Sequence, residues 1–224
     1  MIEISQLTAG YGVKTIISRL SFSAGPAQSP IVLAGRNGSG KSTFLKAILG
    51  ELPFSGTIQI SPPKSGIGWL PQHYHLGLRM PVSDFVKLGT VSKSGVFPTF
   101  SSDAEQRVEE ALDELEIRHL FNSNTDTLSG GEWQLVCLAQ LLVQKTDIWL
   151  LDEPTSSLDV YYKSLVFNFL WKKARMGKTI FLATHDLPFL PTHSGTLLQF
   201  PNPTQPEPLN DQILQDVLKM LQLK

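Results

Sequence analysis

A glycine-rich run that ends in a lysine and a hydroxyl residue is where chemistry is most concentrated in this 224-residue sequence. Residues 35–42 read Gly-Arg-Asn-Gly-Ser-Gly-Lys-Ser, between an apolar run, Ile31–Ala34, and a helix-like stretch, 43–49. Glycines let backbone N–H groups close around phosphates, and a helix N-terminus adds partial positive charge. The spacing therefore predicts a triphosphate-binding loop in which Lys41 reaches the terminal phosphates and Ser42 holds Mg²⁺.

Two adjacent carboxylates follow another apolar run. Asp152 and Glu153 come directly after Ile-Trp-Leu-Leu at 148–151, which predicts a buried strand. Ligands of open α/β sheets bind at the carboxyl ends of strands, so both acids should face the phosphates. Asp152 would hold Mg²⁺ or its water shell, and Glu153 would orient and deprotonate the attacking water. Away from a phosphate loop, the same pair would be an ordinary exposed turn.

His185 and Gln72 each follow a predicted strand, Thr179–Ala183 and Ile67–Leu70 respectively. An imidazole at the carboxyl end of a strand can contact the γ-phosphate or fix the water. A glutamine amide can join the Mg²⁺ sphere. Chemistry alone leaves both open, because a lone histidine is as often structural and Gln72 would otherwise be a surface residue.

A second anion site is indicated at Ser129, Gly130 and Gly131, which precede the run 132–143 without a helix breaker. A helix that begins there would present backbone amides and a hydroxyl. One ATP has a single γ-phosphate, so a second such site in one chain suggests that it serves another nucleotide. The alternative is a simple helix N-cap.

The order of elements predicts an α/β core. Short alternating or apolar runs surround the phosphate loop, and after residue 132 the pattern is helix, strand, helix, strand. That order is typical of parallel βαβ units. We predict one domain, 1–224, with 1–72 and 129–200 as its core.

The segment 73–128 is predicted to be a largely helical insert in that core. Ser102-Asp103-Ala104-Glu105 reads as a capping box, and apolar residues then recur at helical spacing. The remaining segment, 201–224, is a tail. Its four prolines predict a linker, followed by a short amphipathic helix that covers the core.

Composition limits the class of protein. The chain is 42% hydrophobic and 17% charged, with a net charge of −1, which argues against a broad nucleic-acid or anionic-membrane surface. Its one cysteine, Cys137, lies in an apolar helical run and fits a buried position in a reducing compartment. No apolar stretch approaches the ~20 residues that span a bilayer. We therefore expect a cytoplasmic or cytoplasm-facing protein.

These motifs, in this order, resemble those of the ATP-binding subunits of ABC transporters over nearly the whole chain, from Ile2 to about Phe200. The matching segments are Walker A at 35–42, the Q-loop at Gln72, the signature Leu-Ser-Gly-Gly-Glu at 128–132, Walker B at 148–153, the D-loop at 157–159 and the switch histidine at His185. The resemblance implies a P-loop NTPase of the α/β class, with a mostly parallel sheet, an N-terminal antiparallel β part and an inserted helical subdomain.

The resemblance also assigns roles. It implies that Tyr11 stacks on adenine and that Asp159 of the D-loop lies at a dimer contact. Glu153, His185 and Gln72 would act in catalysis, and Ser42, Gln72 and Asp152 would hold the metal. The implied nucleotide-binding residues are Tyr11, Gly35, Arg36, Asn37, Gly38, Ser39, Gly40, Lys41, Ser42, Thr43, Ser129, Gly130, Gly131 and Glu132.

Cofactors and partners follow from the same resemblance. ATP and Mg²⁺ would bind, and two subunits would form a head-to-tail homodimer with each ATP between one Walker A and the other signature. The helical insert would dock on an integral membrane permease, and a solute-binding protein would take part indirectly. The chain would lie in the cytoplasm, peripheral on the inner face of the cell membrane, with no nucleic-acid partner.

The cargo is the least specified property. Segments 81–89 and 100–103 are similar to those of importers of iron–siderophore, haem and cobalamin complexes, and zinc and manganese importers share much of the pattern. An exporter ATPase or a soluble ABC ATPase is an alternative, although the latter usually has two cassettes or a long coiled coil. The sequence departs from many relatives at Leu135, where they have arginine, and at 25–30, where Gly-Glu is usual.

Overall fold

A computed structural model describes residues 1–61, 66–72, 79–92, 99–100, 102–192 and 194–222. The predicted start of the insert, at residue 73, lies outside these ranges. Within them the helices are α1 (Lys41–Leu49), α2 (Val82–Lys87), α3 (Ala104–Glu114), α4 (Gly130–Leu142), α5 (Val160–Arg175) and α6 (Asp211–Gln222). The strands are β1 (Ile2–Tyr11), β2 (Lys14–Ala24), β3 (Ile31–Ala34), β4 (Phe54–Ile60), β5 (Ile67–Leu70), β6 (Val91–Ser92), β7 (Thr99–Phe100), β8 (Ile148–Asp152), β9 (Thr179–Ala183), β10 (Thr196–Gln199) and β11 (Glu207–Pro208).

The central sheet has the order β11-β10-β3-β9-β8-β5, and all its pairings are parallel except that of β11 with β10. Strands β3, β8 and β9 are buried along their whole length, as expected of parallel strands covered on both faces. Their register pairs Ala183 with Asp152, and Leu33 also with Ala183. The carboxyl ends of the three strands therefore meet at one edge of the sheet.

A second sheet forms the N-terminal part, with β1 between β2 and β4 and both pairings antiparallel. The predicted α/β core with a mostly parallel sheet and an N-terminal antiparallel part is confirmed. Helix α1 packs between the two sheets through Phe44, whose ring lies 5.9 to 6.1 Å from those of Phe22, Phe181 and Phe200. This packing fixes the helix that follows the phosphate loop.

Helices α4, α5 and α6 and the insert cover the opposite face of the central sheet in one apolar cluster. Cys137 of α4 belongs to that cluster and is 4% exposed. Burial raises the pKa of its thiol to about 12, so the thiol has little nucleophilic character. Among the described helices, none is long and apolar enough to cross a membrane.

Two details of the insert differ from the sequence prediction. The capping box expected at Ser102 to Glu105 does not start α3: the N-cap is Asp103, and its side chain makes no cap hydrogen bond. The Asp103 carboxylate instead lies 2.9 Å from Lys145 Nζ and 3.8 Å from Arg107 Nη1. The insert also contains a short antiparallel pair, β6 with β7, which the helical periodicity did not predict.

The tail is more ordered than the predicted linker. Strand β11 lies within the proline-rich stretch and pairs with β10 through Thr196 and Leu197. Helix α6 follows and places Leu214 and Val217 in the apolar cluster, at 8% and 1% exposure. The prolines permit this arrangement because the pair lies at the edge of the sheet.

Candidate nucleotide site

A cavity of about 450 Å³ opens where the carboxyl end of β8 meets the start of α1. Its walls come from both sheets, from the phosphate loop and from Gln72, which lies two residues after the end of β5. The lining residues are Tyr11, Lys14, Ile16, Asn37, Gly38, Ser39, Gly40, Lys41, Ser42, Thr43, Gln72, Asp152 and Glu153. Most of the residues predicted to hold nucleotide or metal therefore surround one cavity.

Gly40 closes the loop against the antiparallel sheet. Its φ of 112° lies in the left-handed region, and it is the N-cap of α1. A Cβ atom there would lie 2.5 Å from Ile16 Cγ2. Gly35 lacks room as well, since its Cβ would lie 2.6 Å from the Phe200 carbonyl oxygen. The loop backbone can follow this path because glycine stands at both places.

Ser39 supplies a test of whether a phosphate fits the loop. Its Oγ is buried and has no hydrogen-bond partner among the residues that the structure describes. A buried hydroxyl normally has a partner, and a phosphate oxygen bound in the loop would accept from it. The donors of the loop thus fit an anionic ligand.

Lys41 is the cation at the centre of the site and is 6% exposed. Its Nζ donates to the carbonyl oxygens of Gly35 at 2.8 Å and Arg36 at 3.3 Å, and lies 3.9 Å from Glu153 Oε1. Burial lowers the pKa of the Lys41 ammonium, and the charges of Glu153 and Asp152 act in the opposite direction. The two carboxylates therefore help to keep the lysine charged in a site with little water.

Asp152 and Glu153 are each 4% exposed at the end of β8. The N–H of Glu153 donates to the Ala183 carbonyl at 2.9 Å, which extends the β8 to β9 pairing by one bond. The chain then turns sharply, because Glu153 has a φ of 53°. A left-handed conformation in a non-glycine residue costs of order 1 to 3 kcal/mol and persists only where neighbours hold it.

His185 lies on the carboxylate of Glu153. Its Nδ1 is 2.7 Å from Glu153 Oε2, and its backbone N–H donates to the same oxygen at 3.3 Å. The histidine side chain is 53% exposed, whereas that of Glu153 is 5% exposed. His185 therefore fixes the direction of the Glu153 carboxylate and leaves the rest of its ring open to a ligand.

A second buried cluster lies behind His185. Asp186 accepts from Thr155 Oγ1 at 2.7 Å and from Lys163 Nζ at 2.6 Å, and its N–H donates to Thr184 Oγ1 at 3.0 Å. These bonds tie the loops after β8 and β9 to helix α5. Sequence reasoning did not assign a role to these residues. Asp186 could have been noted beside His185, but nothing local marks Lys163.

Tyr11 and Gln72 also line the cavity. Tyr11 ends β1, pairs with Lys14 across a tight turn and is 51% exposed. Gln72 is exposed just after β5. Both line the same cavity as the phosphate loop. Their positions fit a ring that covers a base and an amide that reaches a metal, the roles that the resemblance implies.

The signature residues do not join this cavity. Ser129 is the N-cap of α4 and is part of a capping box: its Oγ accepts from the Glu132 N–H at 3.3 Å, and its own N–H donates to Glu132 Oε2 at 2.8 Å. Its hydroxyl also donates to that carboxylate at 2.7 Å. These bonds lower the pKa of Glu132. Within one chain, Ser129 thus has the N-cap geometry that the sequence left as an alternative.

The start of α4 packs against the D-loop. A Cβ atom at Gly131 would lie 3.0 Å from the Ser157 carbonyl oxygen, so only glycine allows this approach without a shift. Asp159, predicted at a dimer contact, is the N-cap of α5 and accepts from the Tyr162 N–H at 2.9 Å. Signature and D-loop therefore form one continuous surface.

Comparison with known proteins identifies the family. The profile described as ABC transporter matches residues 17–156, more than half of the chain. The manganese transport system ATP-binding protein MntB of Halalkalibacterium halodurans is 31% identical over 194 residues, which cover 84% of this chain and 77% of that protein. The zinc import ATP-binding protein ZnuC of Roseobacter denitrificans is 32% identical over 189 residues, with coverages of 84% and 70%. An iron chelatin transport ATP-binding protein of Helicobacter pylori is 30% identical over 207 residues, with coverages of 87% and 81%.

Solved structures agree in fold. A metal-chelate type ABC transporter in an inward-facing conformation superposes with a TM-score of 0.81 at 26% identity, over 98% of this chain and 88% of that one. A dimeric ATP-binding cassette with bound ADP and phosphate gives 0.77 at 22% identity, over 94% and 99%. The chain belongs to the ABC transporter family, and it is an ATP-binding, ATP-hydrolysing subunit of that family.

The two glycines of the phosphate loop allow a matched stability test. Gly40→Ala forces a side chain into a left-handed residue and against Ile16, whereas Gly38→Ala, at φ 76°, meets nothing within 4 Å. We expect Gly38→Ala to lower the free energy of unfolding by about 1 kcal/mol and Gly40→Ala by clearly more. Denaturant titration of both variants measures the difference. An equal or smaller loss for Gly40→Ala would show that the contact with Ile16 does not constrain the loop.

Proposed function

We propose that this chain hydrolyses ATP with Mg²⁺ to power the import of a metal ion or metal chelate through a membrane permease. The observation that carries the hydrolytic part is the Glu153 carboxylate, 3.9 Å from Lys41 Nζ and 2.7 Å from His185 Nδ1 at the edge of the phosphate-loop cavity. A buried carboxylate oriented in this way is suited to accept a proton from a water molecule.

The nucleotide would lie along the cavity from Tyr11 to Glu153. Backbone amides of residues 36–43 would surround its phosphates, and the Ser39 hydroxyl would gain an acceptor. The Tyr11 ring would cover the adenine face without reading its edge. Lys41 would turn from the loop carbonyls toward the terminal phosphates. This assignment leaves the side chains of Ser42, Gln72 and Asp152, which line the same cavity, for the metal.

The donor set at the cavity fits Mg²⁺. The Ser42 hydroxyl, the Gln72 amide oxygen and the Asp152 carboxylate are oxygen ligands, which this ion prefers. When bound, Mg²⁺ would neutralise charge on the β- and γ-phosphates. The chain's own residues would do the rest: Glu153 takes the proton of the attacking water, His185 holds that carboxylate, and Lys41 stabilises negative charge as ADP leaves.

The partner of each nucleotide site would be the signature of a second subunit. Ser129 and Gly130 are exposed and lie away from their own chain's cavity, so an anion at this helix start must come from elsewhere. ATPase domains of this family dimerise, as in the ADP- and phosphate-bound structure of the same fold. These observations support a head-to-tail homodimer with two shared sites and with Asp159 near the contact.

The transport role rests on the relatives. Those reported above are named for manganese, zinc and iron chelatin transport, and one solved relative is a metal-chelate type transporter. An iron–siderophore, haem or cobalamin complex is one candidate cargo, and free manganese or zinc ion is the second. The insert presents Leu88 and Phe100, which are 41% and 52% exposed, and we place the permease contact there. The chain would thus work at the cytoplasmic face of the membrane, with a solute-binding protein delivering cargo to the permease.

Removal of the proposed base tests the hydrolytic mechanism. Glu153→Gln keeps the shape of the side chain but cannot accept the proton, so turnover should fall by about 10² to 10⁴-fold while ATP still binds. Steady-state ATPase and nucleotide titration measure the two effects. Glu51→Gln, at an exposed position after α1, is the matched control and should leave turnover unchanged. Near-normal turnover of Glu153→Gln would remove Glu153 from this role.

Shared sites predict complementation between two defective chains. Lys41→Ala and Ser129→Arg would each spoil both sites of a homodimer, whereas a mixed dimer would keep one site with an intact loop and an intact signature. With Glu153→Gln added to both chains, we expect more ATP trapped in the mixture than in either homodimer. The measurement is retained labelled nucleotide after rapid desalting. Mixed dimers that form but trap no more than the homodimers would contradict the head-to-tail arrangement.

The cargo and direction of transport can be measured in the source cell. Replacement of the chromosomal gene by the Glu153→Gln form should reduce accumulation of one among radiolabelled manganese, zinc and a ferric siderophore. The wild-type gene supplied in trans should restore it. Unchanged uptake of these cargoes together with slower efflux of one would instead identify an exporter.

A further inference from the structure

Gln134 connects the signature helix to the backbone of Glu153 inside the same chain. It lies on α4 and is 8% exposed. Its Nε2 donates to the Glu153 carbonyl oxygen at 2.9 Å, and its Oε1 accepts from Ser156 Oγ at 3.4 Å. Both ends of the amide are therefore engaged on the segment that follows β8.

The hydrogen bond from Gln134 stabilises an unfavourable backbone conformation at Glu153. At a φ of 53°, its N–H still pairs with β9 while its carbonyl leaves the strand. That carbonyl accepts from Gln134 and, at a longer 3.2 Å, from the Ser156 N–H. An unfavourable backbone conformation needs such partners, and a buried carbonyl that loses one is costly. Without the amide, Glu153 has less to hold it in the left-handed region.

Helix α4 makes the connection rigid. Its N-cap, Ser129, lies five residues before Gln134, about 7.5 Å along the helix axis. The same helix start contacts Ser157 through Gly131. The backbone that places the Glu153 carboxylate is thus braced by the element that begins with the signature, across 19 residues of sequence.

We propose that Gln134 is a positioning residue for Glu153: it holds the backbone turn that carries the carboxylate and couples that turn to the signature end of the same subunit. The inference rests on the proposed role of Glu153 as the base. In the proposed dimer, the signature senses the partner's nucleotide, so a shift of α4 would reach this subunit's own Glu153 through Gln134. Each site would then respond to nucleotide in the other.

The test replaces the amide by an apolar side chain of similar size. Gln134→Met should lower kcat by about tenfold and change the ATP dissociation constant by less than about twofold, because it touches no nucleotide group. Gln140→Met, on the same helix and half-buried, is the control and should change neither quantity. A Gln134→Met enzyme with wild-type kcat, or with binding weakened as much as kcat, would overturn the inference.

Dependence on Glu153 separates positioning from general damage. If Gln134 acts through Glu153, adding Gln134→Met to Glu153→Gln should leave the residual single-turnover rate unchanged. A further tenfold loss in that background would refute the inference. Normal turnover of Glu153→Gln itself would instead defeat the proposed function, so the two failures are distinguishable.

A second variant guards against misfolding. Should Gln134→Met lower the thermal midpoint by more than a few degrees, Ser156→Ala removes only the hydroxyl that orients the Gln134 amide. We expect Ser156→Ala to lower kcat by about two- to threefold and to leave ATP affinity unchanged. In the Glu153→Gln background, this loss of rate should be absent. The positioning role would be rejected if Ser156→Ala had full activity and Gln134→Met still lowered the single-turnover rate when added to Glu153→Gln.

Discussion

Lys41, Asp152 and Glu153 bring one positive and two negative charges into a part of the protein that is nearly closed to water. Charged groups are costly to bury unless opposite charges or hydrogen bonds compensate them. Lys41 meets this requirement with two loop carbonyls and the neighbouring carboxylates. The carboxylates lie close to Lys41 because β8 ends level with β9 and its end lies beside the phosphate loop. The register of the parallel sheet, the glycines of the loop and the packing of α1 all serve this one cluster of charges.

The turn at Glu153 links that cluster to the rest of the molecule. Its carbonyl is bonded to α4, its side chain to His185 after β9, and the adjacent loop reaches α5 through Thr155, Asp186 and Lys163. A single residue in an unfavourable conformation is thus held by three elements that come from distant parts of the sequence. Movement of any of them relative to the sheet would change where the carboxylate points. This is the physical basis on which nucleotide binding could be communicated through the chain.

Local pattern was sufficient for the buried strands β3, β8 and β9 and for the phosphate loop. Each strand is a short apolar run followed by a polar residue or glycine, and the predicted ends lie within one residue of those observed. Local sequence pattern did not predict the features that depend on contacts between distant parts of the chain. Helix α3 begins one residue later than the expected capping box, with Asp103 as its N-cap, and the Asp103 carboxylate pairs with Lys145, 42 residues away. The β6–β7 pair and β11 are two residues long and too short to show a period. The roles of Gln134 and Lys163 could not be predicted, because their hydrogen bonds reach residues about twenty positions away in the sequence.

The capping box at the start of α4 adds a constraint on how the signature can work. Glu132 accepts hydrogen bonds from both the hydroxyl and the N–H of Ser129. A carboxylate in the first turn of a helix typically stabilises the helix start by about 0.3 to 1 kcal/mol. The γ-phosphate of a nucleotide bound to a second subunit would need the same donors, the hydroxyl and the N–H of Ser129. It would also meet the negative charge of Glu132. The pair is exposed, so water weakens both the bond and the repulsion. Binding of the partner's nucleotide would therefore exchange one anion for another at Ser129, and the helix would keep a compensated N-terminus in either arrangement.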